Sequence, residues 1–292
     1  MDVSSRQDVF WSGKDGLRLH ARRHLPDRVT PTGTVVCIPG LTRNAADFEA
    51  IAGDMAAAGW QVLAVDLRGR AGSGRAKDPR SYNPRTYADD VAALLDQQGV
   101  RRAVFVGTSL GVLVTMTLAT RRPGLVAAAI LNDAGPEVPA EALVRIGRYA
   151  GKPVPPMDAA AAASYVESIA GTAFPNYGPD EWRAMVTRMF RMRDDGLLEL
   201  DYDPAIVRTA SPLLLRLMRP LLWRAWRKLG RCGPLLVLRG ALSDVLPREV
   251  AQRMVAVAAD ATLVEVPDVG HAPMLDEPES QAAIRALLAR LP

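Results

Sequence analysis

The chain has 292 residues, 49% of them hydrophobic and 23% charged. Such values fit a globular protein and exclude a mostly disordered one; the length suffices for one large domain carrying an insertion. The net charge of +4 is small for this size. Its excess is spread over helical and loop segments, which argues against nucleic-acid binding. The 2 cysteines, Cys37 and Cys232, make no disulfide framework. They suit a reducing cytoplasm, and residues 1–10 hold no apolar run of the kind a signal peptide needs, so a cytoplasmic location is expected.

Read in chain order, residues 10–20 predict two short strands joined at Lys14-Asp15-Gly16, an Asp-Gly hairpin signal. His20 and His24 fall in or just after this hairpin, where a surface or sheet-edge position is expected. Short β-branched runs follow at Thr34–Ile38, Gln61–Val65, Ala103–Val106 and Val126–Leu131. They alternate with helix-like segments at Ala45–Ala58, Tyr87–Gln98 and Leu110–Arg121. That alternation predicts an α/β protein with a parallel sheet covered on both faces. Residues 103–120 carry no charge, but the glycine-bounded turn inside them predicts strand, turn and helix rather than a membrane span.

From Pro136 to Asp203 the rhythm breaks. Helices are expected at Ala140–Tyr149, Asp158–Ile169 and Pro179–Met192, with no strand. This reads as a helical insertion, residues 137–202, dividing a core made of residues 1–136 and 203–292. The basic stretch 216–231 carries Trp223 and Trp226. It is read as a solvated face with core anchors, broken or kinked at Pro220, rather than as a membrane-binding helix. The first rhythm returns with strands at Pro234–Leu238 and Thr262–Val266 and helices at Pro247–Ala258 and Glu277–Leu291.

Gly107-Thr-Ser-Leu-Gly111 matches G-x-S-x-G between a strand and a helix, the setting that presents a serine nucleophile. A side chain at either glycine would strike the neighbouring strand or helix. Ser109 needs a base. His271 follows a strand in the loop Pro267–Pro273, at the sheet end where α/β sites assemble. The imidazole in turn needs a carboxylate, and two aspartates compete. Asp244, after the strand Pro234–Leu238, is assigned. Asp133, in Leu131-Asn-Asp-Ala-Gly-Pro136, is given a structural role where the chain leaves the sheet. The backbone N–H groups of Leu110 and Leu41 are the expected oxyanion donors. Three scattered histidines offer no metal-ligand spacing.

Taken together, Pro39-Gly-Leu41, Val65-Asp-Leu-Arg-Gly69, the Ser109 turn, Leu131–Pro136, Leu238–Asp244 and Gly270-His271 resemble the α/β-hydrolase superfamily in order and over nearly the whole chain. They are most similar to its capped bacterial serine hydrolases. The chain departs from the common His-Gly at Pro39-Gly40 and from a second glycine after the turn at Val112. The resemblance implies a mostly parallel eight-stranded sheet flanked by helices, with a helical cap after the sixth strand. It implies a Ser109-Asp244-His271 triad that cleaves a carboxylic ester or lactone of a small, mainly apolar substrate. A C–C bond hydrolase of the meta-cleavage type would use the same triad. A ligand-binding protein on this fold that has lost catalysis is a more remote alternative. No cofactor, metal or nucleic acid is implied, membrane association is not expected, and a homodimer is compatible with the sequence. Trp182, Met185, Met189 and Met192 form an apolar helical stripe, from which Met185 and Met189 are expected to face substrate.

Overall fold

A computed structural model describes residues 6–207 and 212–291 of the chain. The Asp15-Gly16 step turns as expected, with Gly16 at φ 76°, and joins β1 (Arg6–Ser12) to β2 (Arg18–His24) in an antiparallel hairpin. Then strand and helix alternate: β3 (Thr34–Ile38), α1 (Glu49–Ala57), β4 (Gln61–Asp66), α2 (Pro84–Gln97), β5 (Ala103–Thr108), α3 (Leu110–Arg121) and β6 (Val126–Asn132). Local chemistry sets these boundaries. Pro84 opens α2 where its missing N–H costs nothing, and the Asn83 side chain accepts from Thr86 N at 3.0 Å.

Between β6 and the next strand of the sheet lie α4 (Ala140–Gly147), α5 (Ala159–Ala170) and α6 (Pro179–Met189). A small antiparallel hairpin follows, β7 (Phe190–Met192) with β8 (Leu198–Leu200), and then α7 (Pro212–Leu229). The hairpin corrects the expectation of helices alone. Its signal was present: Asp194-Asp195-Gly196 lies between two alternating triplets, and Gly196 turns with φ 79°. A second correction concerns Pro220, which does not break α7; the helix runs through it, and Pro220 is exposed. Downstream, Trp226 is fully buried and its Nε1 donates to Met254 O, anchoring the helix to the core.

The chain closes with β9 (Leu235–Gly240), α8 (Arg248–Ala256), β10 (Ala261–Val266) and α9 (Pro278–Leu288). Eight strands form one sheet in the order β1-β2-β4-β3-β5-β6-β9-β10. β2 is antiparallel to β1 and β4, and the other pairings are parallel. Both faces are covered, so the central strands are apolar at every position. Val35, Cys37, Val104 and Val106 pack with α1 and α9. Val36, Ile38, Phe105 and Leu131 face α2, α3, α7 and α8. The uncharged run 103–120 is thus β5, the turn and α3, and among the described residues no helix is long and apolar enough to cross a membrane.

Candidate active site

Ser109 sits between β5 and α3 with φ 53° and ψ −109°, a backbone conformation that is costly for a side-chain-bearing residue. The two glycines make this turn possible. A Cβ on Gly107 would lie 2.6 Å from the Gly111 carbonyl, and one on Gly111 would lie 2.1 Å from Ile38 O on β3. The turn is tied to the next strand, because Ser109 N donates to Asn132 O at 2.9 Å.

His271 faces the serine, with Nε2 2.9 Å from Ser109 Oγ. Its Nδ1 is 2.8 Å from Asp133 Oδ2. This corrects the assignment of the carboxylate: Asp133 holds the imidazole, and Asp244 does not. The Asp244 carboxylate instead accepts from Arg145 Nε at 2.6 Å and Nη2 at 2.8 Å. Burial pushes the Asp244 carboxyl up, but the Arg145 guanidinium outweighs that and holds it below the usual range. Asp133 is fully buried and its acceptors are filled. Oδ1 takes Gly240 N at 3.1 Å, and Oδ2 also takes the Ser243 hydroxyl at 2.6 Å. That hydroxyl must aim its proton at Asp133, since Ser243 Oγ accepts from Val245 N and Leu246 N, both at 3.2 Å. The histidine loop is fastened to the same strand end, where Asn132 Nδ2 donates to Pro273 O at 2.8 Å.

Of the two expected oxyanion donors, Leu110 follows Ser109 in the chain and Leu41 lies in the loop after β3. Neither the Leu41 nor the Leu110 N–H bonds to a backbone acceptor among the described residues. Leu41 lines the cavity in front of Ser109, while Leu110 opens α3, whose N-terminus carries partial positive charge. Sequence reasoning missed Arg70. It is buried on β4's exit loop and gives Nε and Nη2 to Leu41 O at 3.1 and 2.9 Å, with Nη1 on Arg68 O and Tyr87 Oη. It therefore fixes the peptide that follows Leu41. The segment Val65–Gly69 stops one residue short of it.

A cavity of about 130 Å³ opens over Ser109 and His271. Met185 and Met189 line it together with Ile146, Ile169 and Phe174. They are also core residues, only 4% and 5% exposed; Trp182 packs with them, whereas Met192 points to solvent at 72%. The polar lining includes Thr42, Arg43, Asp47, Arg145 and Tyr149. Arg43 is paired with Asp47, and burial pushes the Tyr149 hydroxyl up against the pull of Arg145 and Arg43.

The other histidines stand apart. His20 is buried in β2, not at the surface, with Nδ1 2.6 Å from Asp66 Oδ2 and Nε2 3.1 Å from Asp8 Oδ1. His24, at the end of β2, is also buried. Among the described residues no group of three or more His, Cys, Asp or Glu side chains is placed to hold a metal ion.

The fold agrees with what related proteins show. Residues 35–284 match the model of the alpha/beta hydrolase family, and the chain belongs to that family; it is a hydrolase of the α/β type. It is similar to the 3-hydroxybutyrate-oligomer hydrolase of Cupriavidus necator, 34% identical over 92% of each chain. It is 28% identical to the 2-(acetamidomethylene)succinate hydrolase of Mesorhizobium japonicum, over 80% of this chain and 79% of that one. Among solved structures, an alpha/beta hydrolase from Novosphingobium aromaticivorans superposes with a TM-score of 0.89 at 41% identity, over 99% of this chain and 100% of the other.

Proposed function

We propose that the protein is a serine hydrolase acting on a carboxylic ester or lactone of a small substrate, through an acyl-enzyme on Ser109. The observation that carries this reading is the unbroken relay Asp133 Oδ2–His271 Nδ1 and His271 Nε2–Ser109 Oγ, at 2.8 and 2.9 Å, with Ser109 and His271 lining the cavity and Asp133 buried behind them. Neutral His271 takes the Ser109 proton as Oγ bonds to the carbonyl carbon, and Asp133 steadies the imidazolium that forms. The Leu41 and Leu110 N–H groups receive the oxyanion. When the tetrahedral species collapses, the C–O bond breaks and the imidazolium proton leaves with the alcohol. Water then repeats the sequence and releases the acid.

Two further points support an ester of modest size. The Cupriavidus necator relative is named for an oligomer of a hydroxy acid, and hydroxy acids join to one another through ester bonds. The cavity of about 130 Å³ is close in scale to cavities that hold one benzene, which suits a short acyl group. Segment 137–202 acts as the cap in this reading, its apolar side chains excluding water from the acyl-enzyme.

The test is covalent labelling by a fluorophosphonate together with a panel of p-nitrophenyl esters, lactones and ring-cleavage dienoates. Labelling of the native chain but not of Ser109→Ala, with turnover confined to esters or lactones, is expected. A Ser109→Ala variant that keeps the native rate removes the nucleophile assignment. Preference for the dienoates removes the ester reading.

A further inference from the structure

We propose that Arg43 and Arg145, with Tyr149 beside them, form a subsite in the cavity for a free carboxylate carried by the substrate ester. The inference deepens the ester-hydrolase reading and rests on it. In a cavity whose walls include Ile146, Ile169, Phe174, Met185 and Met189, two arginines are a feature that acyl binding does not explain. They come from different elements, Arg43 from the loop after β3 and Arg145 from α4, yet they line the same space as Ser109 and His271.

Each guanidinium is held by an aspartate, and Arg145 also meets the Tyr149 hydroxyl. Arg43 gives Nε and Nη2 to Asp47, and Arg145 gives Nε and Nη2 to Asp244. Neither Nη1 donates to a carboxylate or carbonyl among the described residues. The aspartates hold the forks in place and cancel their charge, so the rim is neutral and an uncharged ester can still enter. A substrate carboxylate gains what a neutral ester cannot, charge-assisted hydrogen bonds from donors already oriented. Tyr149 joins the group, since its hydroxyl lies within the fields of both arginines.

The spacing suits a short substrate. A methyl placed on Gly40 would lie 3.6 Å from Arg43 Cγ and 3.7 Å from Ser109 Cβ, so one methyl would bridge the two stems. The Arg43 side chain thus starts beside the nucleophile, and a carboxylate at its guanidinium would share one small cavity with an ester carbonyl at Ser109. That is the layout of an ester joining two small hydroxy acids, or of a half-ester of a small dicarboxylic acid.

The experiment compares kcat/KM for a linear 3-hydroxybutyrate dimer as free acid with that for its methyl ester. A p-nitrophenyl half-ester of succinate against p-nitrophenyl butyrate asks the same of the acyl side. The native enzyme is expected to favour an acid over its neutral counterpart about ten- to hundredfold, the range of one or two charged hydrogen bonds. The double variants R43Q/D47N and R145Q/D244N remove each pair without leaving a bare charge, and each should lower that preference at least tenfold through KM. If R43Q/D47N fails to fold, R145Q/D244N, at a part-exposed pair, carries the test. Equal rates on acid and neutral ester in the native enzyme, or a preference surviving in the folded variants, overturns the subsite while leaving the hydrolase reading intact. No turnover of any ester, with no fluorophosphonate labelling, overturns both.

Discussion

Replacing Asp133 by asparagine tests the site at its most constrained atom. Asp133 Oδ2 faces His271 Nδ1 at 2.8 Å and the Ser243 hydroxyl at 2.6 Å, while Oδ1 faces Gly240 N at 3.1 Å. All three are donors in the working state, and an asparagine offers only one oxygen. With that oxygen in the Oδ2 place, its NH₂ opposes the Gly240 N–H, and a buried donor is stranded at about 1–3 kcal/mol. The imidazole keeps its tautomer but loses the negative charge that stabilises its protonated form. With the amide reversed, the NH₂ faces Nδ1 and drives the proton to Nε2, which then meets Ser109 as a donor and cannot accept. Either way kcat should fall by about 10⁴-fold, the cost of this substitution at comparable triads. Asp244→Asn touches only a part-exposed pair with Arg145. It should cost at most about 1 kcal/mol in stability and less than about tenfold in kcat. Rates on p-nitrophenyl butyrate beside thermal melts of all three proteins decide the matter. An active Asp133→Asn with an inactive Asp244→Asn would refute the reasoning.

Gly111→Ala should abolish folding or cost more than about 4 kcal/mol, because its Cβ would sit 2.1 Å from Ile38 O, backbone that cannot yield; a melt within a few degrees of native would contradict this. Met189→Ala should both enlarge the pocket, moving the p-nitrophenyl ester optimum to longer chains, and destabilise by about 2–5 kcal/mol, since the residue is 5% exposed. A changed melt with an unchanged chain-length profile would deny its contact with substrate. For His20, burial opposes the charged form, but the carboxylates of Asp66 and Asp8 outweigh it and raise the folded-state pKa. Its stabilisation is thus complete below the unfolded value of about 6.5 and is lost as pH rises through the raised folded value. Urea midpoints should fall with pH in that window, and His20→Gln should flatten the fall; parallel curves for the two proteins would dismiss it.

What the sequence could say about the site depended on how local each signal was. Ser109 was legible because the strand, the two glycines and the helix all lie within residues 103–121. His271 was legible because only three histidines exist and one alone follows a C-terminal strand. The carboxylate was not. Asp133 and Asp244 both stand just past a core strand, and which one meets the imidazole depends on sheet order and on where a loop points its side chains. β6 lies beside β5, so Asp133 emerges next to Ser109, while the turn after β9 aims Ser243 inward and Asp244 towards Arg145. Asp133 also takes a φ of 57°, a conformation aspartate tolerates but a sequence does not announce. The β7–β8 hairpin was masked by its length of three residues per strand, below what periodicity can register. Arg70 was hidden for another reason: a buried arginine answering a loop carbonyl has no pattern along the chain.

The way Ser109 and Asp133 are mounted bears on how the protein would fail when heated. Ser109 N bonds to Asn132 O, Asp133 N to Leu238 O, and Asp133 Oδ1 takes Gly240 N, so three adjacent inner strands are laced together through Ser109 and Asp133. Local opening cannot separate serine from carboxylate without parting the middle of the sheet, the most cooperative unit of such a fold. The roof is held by single bonds between cap and loop, Gly270 N to Ala173 O and Asn44 Nδ2 to Arg188 O, and Met185, Met189 and Phe174 belong to an apolar cluster that meets the sheet at Val266. Warming should therefore blur the choice of substrate first and stop the reaction only when the whole molecule melts.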